Sequence, residues 1–237
     1  MAGGETKGII MRFAILGAAL LLAACATTQA AAPPAAATAS STASPIAAGI
    51  APSEGVSRNP ADAPAGAYTL DSRHASVVWR VRHLGLGLYT ARFDTVSGSL
   101  TFDPANPANS SVSATIAANS VSTGLLDQQG ERAFDREIAE AFGAAAHPNI
   151  AFVSRSAQVT GSAGGLITGD LTFNGQTHPV TLEATFHGGR FVTLRGKHVI
   201  GFSGRTIIRR SEWGVSNWLA FTGDEVEILI DAEFIKD

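Results

Sequence analysis

The sequence predicts an all-β domain of eight antiparallel strands and one amphipathic helix, closed into a barrel or stacked as a sandwich. Three observations carry that expectation. Apolar residues recur at every second position from Tyr68 onward, the period of a half-buried strand. Turn-forming residues interrupt the alternation at Asp103-Pro104-Ala105-Asn106-Pro107, Asn174-Gly175 and Gly188-Gly189. A single stretch, 129–145, follows the helical period instead, so the chain lacks the crossover helices that a parallel sheet needs.

Val77, Trp79 and Val81 alternate with Ser76, Arg80 and Arg82 in the first strand. Val96, Leu100 and Phe102 share a face of the second, with Gly98 between them, and Val112, Ala114 and Ile116 a face of the third. After the helix come Ile150 and Phe152, then Leu171 and Phe173, then Val180, Leu182, Ala184 and Phe186. A long run over 199–208 and the alternation Val226, Ile228, Ile230, Ala232, Phe234 complete the eight. In the helix, Phe134, Ile138, Ala141 and Phe142 form an apolar face, with Asp135, Arg136, Glu137 and Glu140 on the other side; such a helix covers a barrel end or flank. An eight-stranded barrel is either filled by its own side chains or holds one small ligand. Eleven of the twelve Phe and all three Trp follow Ala67, which serves a filled and a hollow barrel alike.

Residues 1–66 hold no Trp, no His and no alternation, so the core is built from Ala67 on, as one domain over 67–237. Met11, a second candidate start, and Arg12 precede the apolar run Phe13 to Ala24. That run is short of the ~20 residues that span a bilayer and fits a secretory signal with Lys7 and Arg12 as its positive flank. It ends Leu22-Ala23-Ala24-Cys25, which resembles the bacterial lipobox. Residues 1–24 are therefore expected to be a lipoprotein-type signal peptide and Cys25 the lipidation site; cleavage after Thr28-Gln29-Ala30, with Cys25 discarded, is the competing reading. Acyl chains bury ~0.8 kcal/mol per CH₂, so multiple acylation anchors a chain stably. Ala26, in place of Asp, implies by the same resemblance the outer membrane, facing the periplasm. Residues 25–66, rich in Ala, Pro, Ser and Thr, read as a disordered tether.

The net charge of −3 falls on the domain, because the front segment balances, and no Lys/Arg run points to nucleic acid. One cysteine excludes an internal disulfide, so the fold stands on packing. His74, His83, His147, His178, His187 and His198 form no metal or zinc-protease motif, and no Ser lies in a nucleophile elbow. No catalytic residue, metal site or required cofactor is expected. Arg209-Arg210-Ser211-Glu212-Trp213-Gly214 reads either as a surface loop over a packed aromatic, the favoured view, or as a barrel mouth where a polar head group meets Arg. His83, Arg210 and Trp213 are the candidates for such contacts.

Tyr68-Thr-Leu-Asp71, His74-Ala-Ser-Val77, Val81-Arg-His83-Leu84-Gly85, Phe93 and Gly98-Ser-Leu100-Thr-Phe102-Asp103 together resemble the opening of YceI-like proteins. The likeness continues in His147-Pro148-Asn-Ile150-Ala-Phe152, Gly169-Asp-Leu171-Thr-Phe173-Asn-Gly175 and His178-Pro179-Val180-Thr-Leu182. It closes in Arg210-Ser211-Glu-Trp213-Gly214 and Gly223-Asp-Glu225-Val226. The resemblance implies a lipocalin-like, eight-stranded antiparallel β-barrel in the periplasm that binds a polyisoprenoid or prenyl quinone in an apolar tunnel, without catalysis. The lining candidates are then Val77, Trp79, Val81, Leu100, Phe102, Ile150, Phe152, Leu171, Phe173, Leu182, Phe186, Phe202, Ile228 and Ile230, some of them core filler. Asp135-Arg-Glu137-Ile138 stands where such helices read Asp-x-His-Leu. The expected partners are an isoprenoid lipid or quinone and, through the acyl anchor, a membrane; a homodimer stays open. Two other functions compete: a stress-protective or interaction module with a filled barrel, and a hydrolase or isomerase with a Ser or carboxylate beside His83 or His74 facing the tunnel.

Overall fold

A computed structural model describes residues 55–237; the expected signal peptide, Cys25 and most of the expected tether lie outside the described residues. The elements run β1 (Gly66–His83), β2 (Gly87–Phe93), β3 (Val96–Phe102), β4 (Ser111–Ala117), β5 (Val121–Ser122), α1 (Ala133–Ala141), β6 (Asn149–Val159), β7 (Gly164–Phe173), β8 (Gln176–Val192), β9 (Lys197–Arg209) and β10 (Thr222–Lys236). All pairings are antiparallel. β1, β3, β4, β6, β7, β8, β9 and β10 form a ring of eight that closes where β10 pairs with β1, from Tyr68↔Lys236 to His83↔Thr222. The fold is thus the barrel and not the sandwich, and closure removes the free edges at which sheets aggregate.

The length of β1 makes the closure possible. Its other edge serves two partners in turn: Gly66–Thr69 pairs with β3, and Val77–His83 pairs with β2. β2 and the two-residue β5 extend the wall at the end that β3 does not reach. Between these two stretches the ladder to β10 slips, between Leu70 and Ala75. There the Asp71 carboxylate turns back into a small polar cluster, accepting hydrogen bonds from His74 Nδ1 (2.7 Å), the Arg73 amide (3.1 Å) and Arg195 Nη1 (2.5 Å) on the β8–β9 turn.

Burial pushes the Asp71 carboxyl up, but the bonds from His74, Arg195 and the Arg73 amide, with the Arg195 charge, outweigh it and bring the pKa down to about 2. A carboxyl depressed in the folded state contributes stability above its unfolded value of about 3.9, and that contribution is lost as pH falls toward 2. Asp71→Asn is therefore expected to flatten the fall in stability between about pH 4 and pH 2 in acid-titrated thermal melts. Its cost at neutral pH is on the order of 1 kcal/mol, because solvent screens a cluster so near the surface.

Two sequence expectations need correcting here. Gly188-Gly189 is not a turn: β8 runs through both residues and turns back only after Val192. Gly188 adopts φ 145, inside a register slip between Phe186 and Gly188, and a Cβ there would meet Val56 Cγ1 at 2.5 Å and the Ser57 carbonyl at 2.9 Å. The glycine admits a crossing chain. Ser57 and Gly189 exchange backbone hydrogen bonds of 2.9 and 2.8 Å, a 3-10 turn spans Pro60–Asp62, Ala63 is buried, and the Tyr68 hydroxyl donates to the Pro64 carbonyl at 2.6 Å. The packed domain thus begins before Ala67. Gly188→Val is expected to cost about 1–3 kcal/mol through strain and to free this segment for proteolysis, a result that limited digestion reads directly.

The second correction concerns Asp135, expected on the polar side of the helix. It is buried, accepting from the Thr123 amide (2.9 Å) and Oγ1 (2.6 Å), and it ties α1 to the strand end before it. Ile138 and Ala139 bury the other contact face. Glu137, at the position of the family's His, is exposed.

Candidate functional site

The alternation of each strand sends one row of side chains into the lumen, and those rows do not meet. They enclose a cavity of about 660 Å³ with an almost wholly apolar wall. Val77, Trp79, Leu100, Ile150, Phe152, Leu171, Phe173, Leu182, Phe202, Ile228 and Ile230 stand in that wall. Small residues opposite them, Ala114, Ala184 and Gly204, keep the middle open. The barrel is hollow, and a fully packed interior is not what the chain builds.

Val81, Phe102 and Phe186 do not line the cavity. Val81 is buried among the side chains around the helix end. Phe102 and Phe186 stack at 6.2 Å and 11°, and Tyr68 meets Phe102 edge-on at 6.3 Å; with Ile200 and Phe234 they plug one end of the barrel. This end lies under the crossing segment before β1. Inward residues there meet one another and leave no lumen.

The opposite end is covered by α1. Phe142 packs edge-on against Phe173 (5.3 Å) and Trp79 (5.9 Å), and Phe134 meets Tyr89 (6.2 Å) and Trp218 (6.4 Å). The exposed aromatic side chains of the wall, Phe134, Trp218 and Phe221, gather here, with His83 beside them, and mark the mouth. Trp79 Nε1 and Tyr89 Oη, both on wall residues, are buried without a hydrogen-bond partner among the described residues.

The three expected head-group contacts part company. Of the three, His83 is the one that reaches the mouth with no side-chain hydrogen bond among the described residues. Arg210 borders the cavity but is buried, and its guanidinium is spent on the loop between β9 and β10: it donates to the carbonyls of Gly223 (3.0 Å), Val215 (3.1 Å), Asn217 (2.6 Å) and Thr222 (3.3 Å), and to Thr222 Oγ1 (2.8 Å). Desolvation pulls its pKa down, against the nearby Asp224 carboxylate. Trp213 lies outside the cavity, 1% exposed, with Nε1 donating to the Leu171 carbonyl (3.1 Å) and its ring edge-on to His178 (5.0 Å). The segment is a brace for the mouth, as the packed-aromatic reading had it.

His74 has a carboxylate beside it but is half exposed and absent from the cavity wall. His83 is in the wall but has no Ser or carboxylate bonded to it among the described residues. The pairing that a histidine-based hydrolase needs is therefore split between two places.

Several wall residues were not among the candidates: Leu70, Tyr89, Phe93, Val112, Ile116, Ile138, Phe142, Ile167, Val180, Ile208 and Val226. Most continue the period-two rows already recognised. Tyr89 and Phe93 belong to β2, where the short alternation Leu88-Tyr89-Thr90-Ala91-Arg92-Phe93 is the sequence signal for them.

A closed, hollow, eight-stranded antiparallel barrel with an apolar interior and a helix at its mouth defines a lipocalin-like architecture. Within it the chain belongs to the YceI-like family, whose domain matches residues 68–234. It is 35% identical to Protein YceI of Salmonella arizonae over 174 residues, 73% of this chain and 88% of the relative. It is 32% identical to a UPF0312 protein of Pseudomonas aeruginosa over 171 residues, 71% of this chain and 86% of the relative. Among solved structures, BcnA of Burkholderia cenocepacia shares the fold with a TM-score of 0.60 at 24% identity, over 69% of this chain and 98% of that one. A polyisoprenoid binding domain from Saccharophagus degradans, implicated in plant cell wall breakdown, shares it with a TM-score of 0.52 at 15% identity, over 72% of this chain and 98% of that one.

Proposed function

We propose that the protein binds a long apolar ligand, a polyisoprenoid or prenyl quinone, inside the barrel, and that it does so as a non-catalytic periplasmic lipoprotein held to the outer membrane through Cys25. The observation that carries this reading is the cavity itself. A void of about 660 Å³ lined by aliphatic and aromatic side chains is unfavourable for water and suited to a chain of isoprene units. Burying such a chain gains about 25 cal/mol for each Å² removed from water. Among the described residues the wall's one Lys or Arg is Arg210, which is saturated by carbonyls, so a neutral head group suits it better than a phosphorylated one. The likeness to a polyisoprenoid binding domain supports the same class of ligand.

Trp79 gives a direct readout, because quinones quench indole fluorescence and its ring stands in the wall. Delipidated protein titrated with a prenyl quinone in detergent should show saturable quenching, and Trp79→Phe should reduce it, leaving the share that Trp218 carries at the mouth. A flat titration in the parent protein would oppose the proposal. Anchoring is tested separately: Cys25→Ser should abolish fatty-acid incorporation and release the protein into the soluble periplasm, whereas unchanged labelling would end the lipoprotein reading.

A further inference from the structure

The loops at the mouth present apolar side chains to the outside, and three of them, Leu84, Leu86 and Leu88, do not line the cavity. Leu84 is 54% exposed, Leu86 85%, Leu88 48% and Phe221 58%. Leu84 and Trp218 also hold the left-handed backbone, at φ 51 and 59; among the described residues the other non-glycine to do so is Asn174, a type that tolerates it. Asn or Gly would fit both positions with less strain, so the chain keeps large apolar groups on these loops at a conformational cost.

The two loops meet, with the Leu84 amide donating to the Phe221 carbonyl at 2.7 Å. Their backbone groups are partly satisfied from within. The Leu86 amide bonds the His83 carbonyl (2.9 Å), the Phe221 and Thr222 amides bond Trp218 (both 2.8 Å), and Arg210 gathers four carbonyls from beneath. No residue from 84 to 91 or from 215 to 223 carries a charge. What the loops offer outward is mainly apolar side chain, with part of the backbone already hydrogen-bonded, which lowers the cost of entering a layer poor in water.

We propose that this rim is a membrane-docking surface: Leu84, Leu86, Leu88, Trp218, Leu219 and Phe221 enter the interfacial layer of a bilayer and seat the cavity mouth on it. The proposal rests on the reading that the cavity takes a membrane lipid, which could then pass between bilayer and barrel without crossing water. A protein partner fits less well, because interfaces between proteins ring their apolar centre with polar, hydrogen-bonding groups; the 84–88 tip has no polar side chain, and the other loop exposes Ser216 and Asn217 but no charge. Leucines at a projecting hairpin tip and an exposed Trp suit the headgroup boundary. The described chain starts at the plugged end, and the covalent span from Cys25 to Gly55 reaches at most about 100 Å, against about 60 Å for the length of β1. An anchored barrel can therefore turn its mouth to the same membrane.

The test mixes the exported full chain with phosphatidylethanolamine–phosphatidylglycerol vesicles whose acyl chains are brominated near the headgroup, at high salt. Trp218 should be quenched, Trp218→Phe should lose that quenching, and Leu84→Asn/Leu86→Asp should reduce it at least threefold. Neither of the last two residues lines the cavity, and Leu84→Asn relieves backbone strain, so this double variant should melt no earlier than the parent. Absence of quenching in the parent, or quenching undiminished in the double variant, would overturn the proposal. So would a parent that sediments as a dimer, unquenched on vesicles, and becomes monomeric in the double variant; the rim would then join two copies. Quinone uptake from detergent separates the two readings. Uptake without vesicle quenching sinks docking alone; vesicle quenching without uptake upholds docking and sinks the ligand reading.

Discussion

Ala184→Trp is expected to abolish uptake of a prenyl ligand while leaving the barrel folded. Ala184 sits in the cavity wall on β8, and its cross-strand neighbours are Gly165 on β7 and Gly204 on β9. Neither neighbour has a side chain to obstruct the indole, which must therefore occupy the lumen. An added ring of 150–250 Å² inside the lumen takes space that a long chain needs. Binding should weaken at least a hundredfold, while stability should change by no more than about 1–2 kcal/mol, because the ring fills a void instead of displacing packed atoms. Quinone titration and urea unfolding, run on the same sample, check both halves. Full uptake in a folded variant would place the ligand elsewhere.

The second large effect is expected at Arg210, and it falls on stability. Arg210→Met keeps the stem but strips four carbonyls and a hydroxyl of their donor in a buried place. Loss of one partner from such a buried charged network costs about 3–5 kcal/mol. Arg210→Lys should recover little of it, since an ammonium brings three donors on one atom where the guanidinium spreads five over a fixed plane. Urea midpoints measure the loss. Hydrogen exchange should show it concentrated in residues 214–223, because that loop wraps the guanidinium. A loss under about 1 kcal/mol would mean that the loop holds its shape by other means.

What the sequence disclosed and what it hid divide along a physical line. Strands announce themselves by period, and all eight rows from Val77-Trp79-Val81 to Val226–Phe234 became members of the closed ring. The expected helix over 129–145 formed over Ala133–Ala141. Period does not report which strands pair, and the two-partner edge of β1 that closes the barrel depends on register alone. Nor does it report where the lumen ends. Phe102 and Phe186 are as inward as Phe152, yet they stack on each other at the plugged end. Gly188-Gly189 looked like a hairpin because glycine pairs usually serve turns; here the missing side chain makes room for Val56 and Ser57, a contact between segments remote in sequence. Arg210 and Trp213 carry charge and aromaticity together, which sequence alone reads as a loop over a packed aromatic, the favoured view, or as a binding mouth; the carbonyls that saturate Arg210 and the burial of Trp213 are visible only in the fold. The apolar rim at Leu84, Leu86 and Phe221 emerged only once folding had brought two uncharged loops together.

The central claim is that the hollow barrel exists to hold a prenyl chain. Its most direct test is to purify the exported protein without detergent stripping, extract it with organic solvent, and quantify prenyl lipids by mass spectrometry against protein. The account predicts a polyprenyl lipid or prenyl quinone approaching one molecule per chain, and its disappearance in Ala184→Trp. Repeated extracts free of any prenyl lipid, from protein that also fails to take up added quinone, would contradict it.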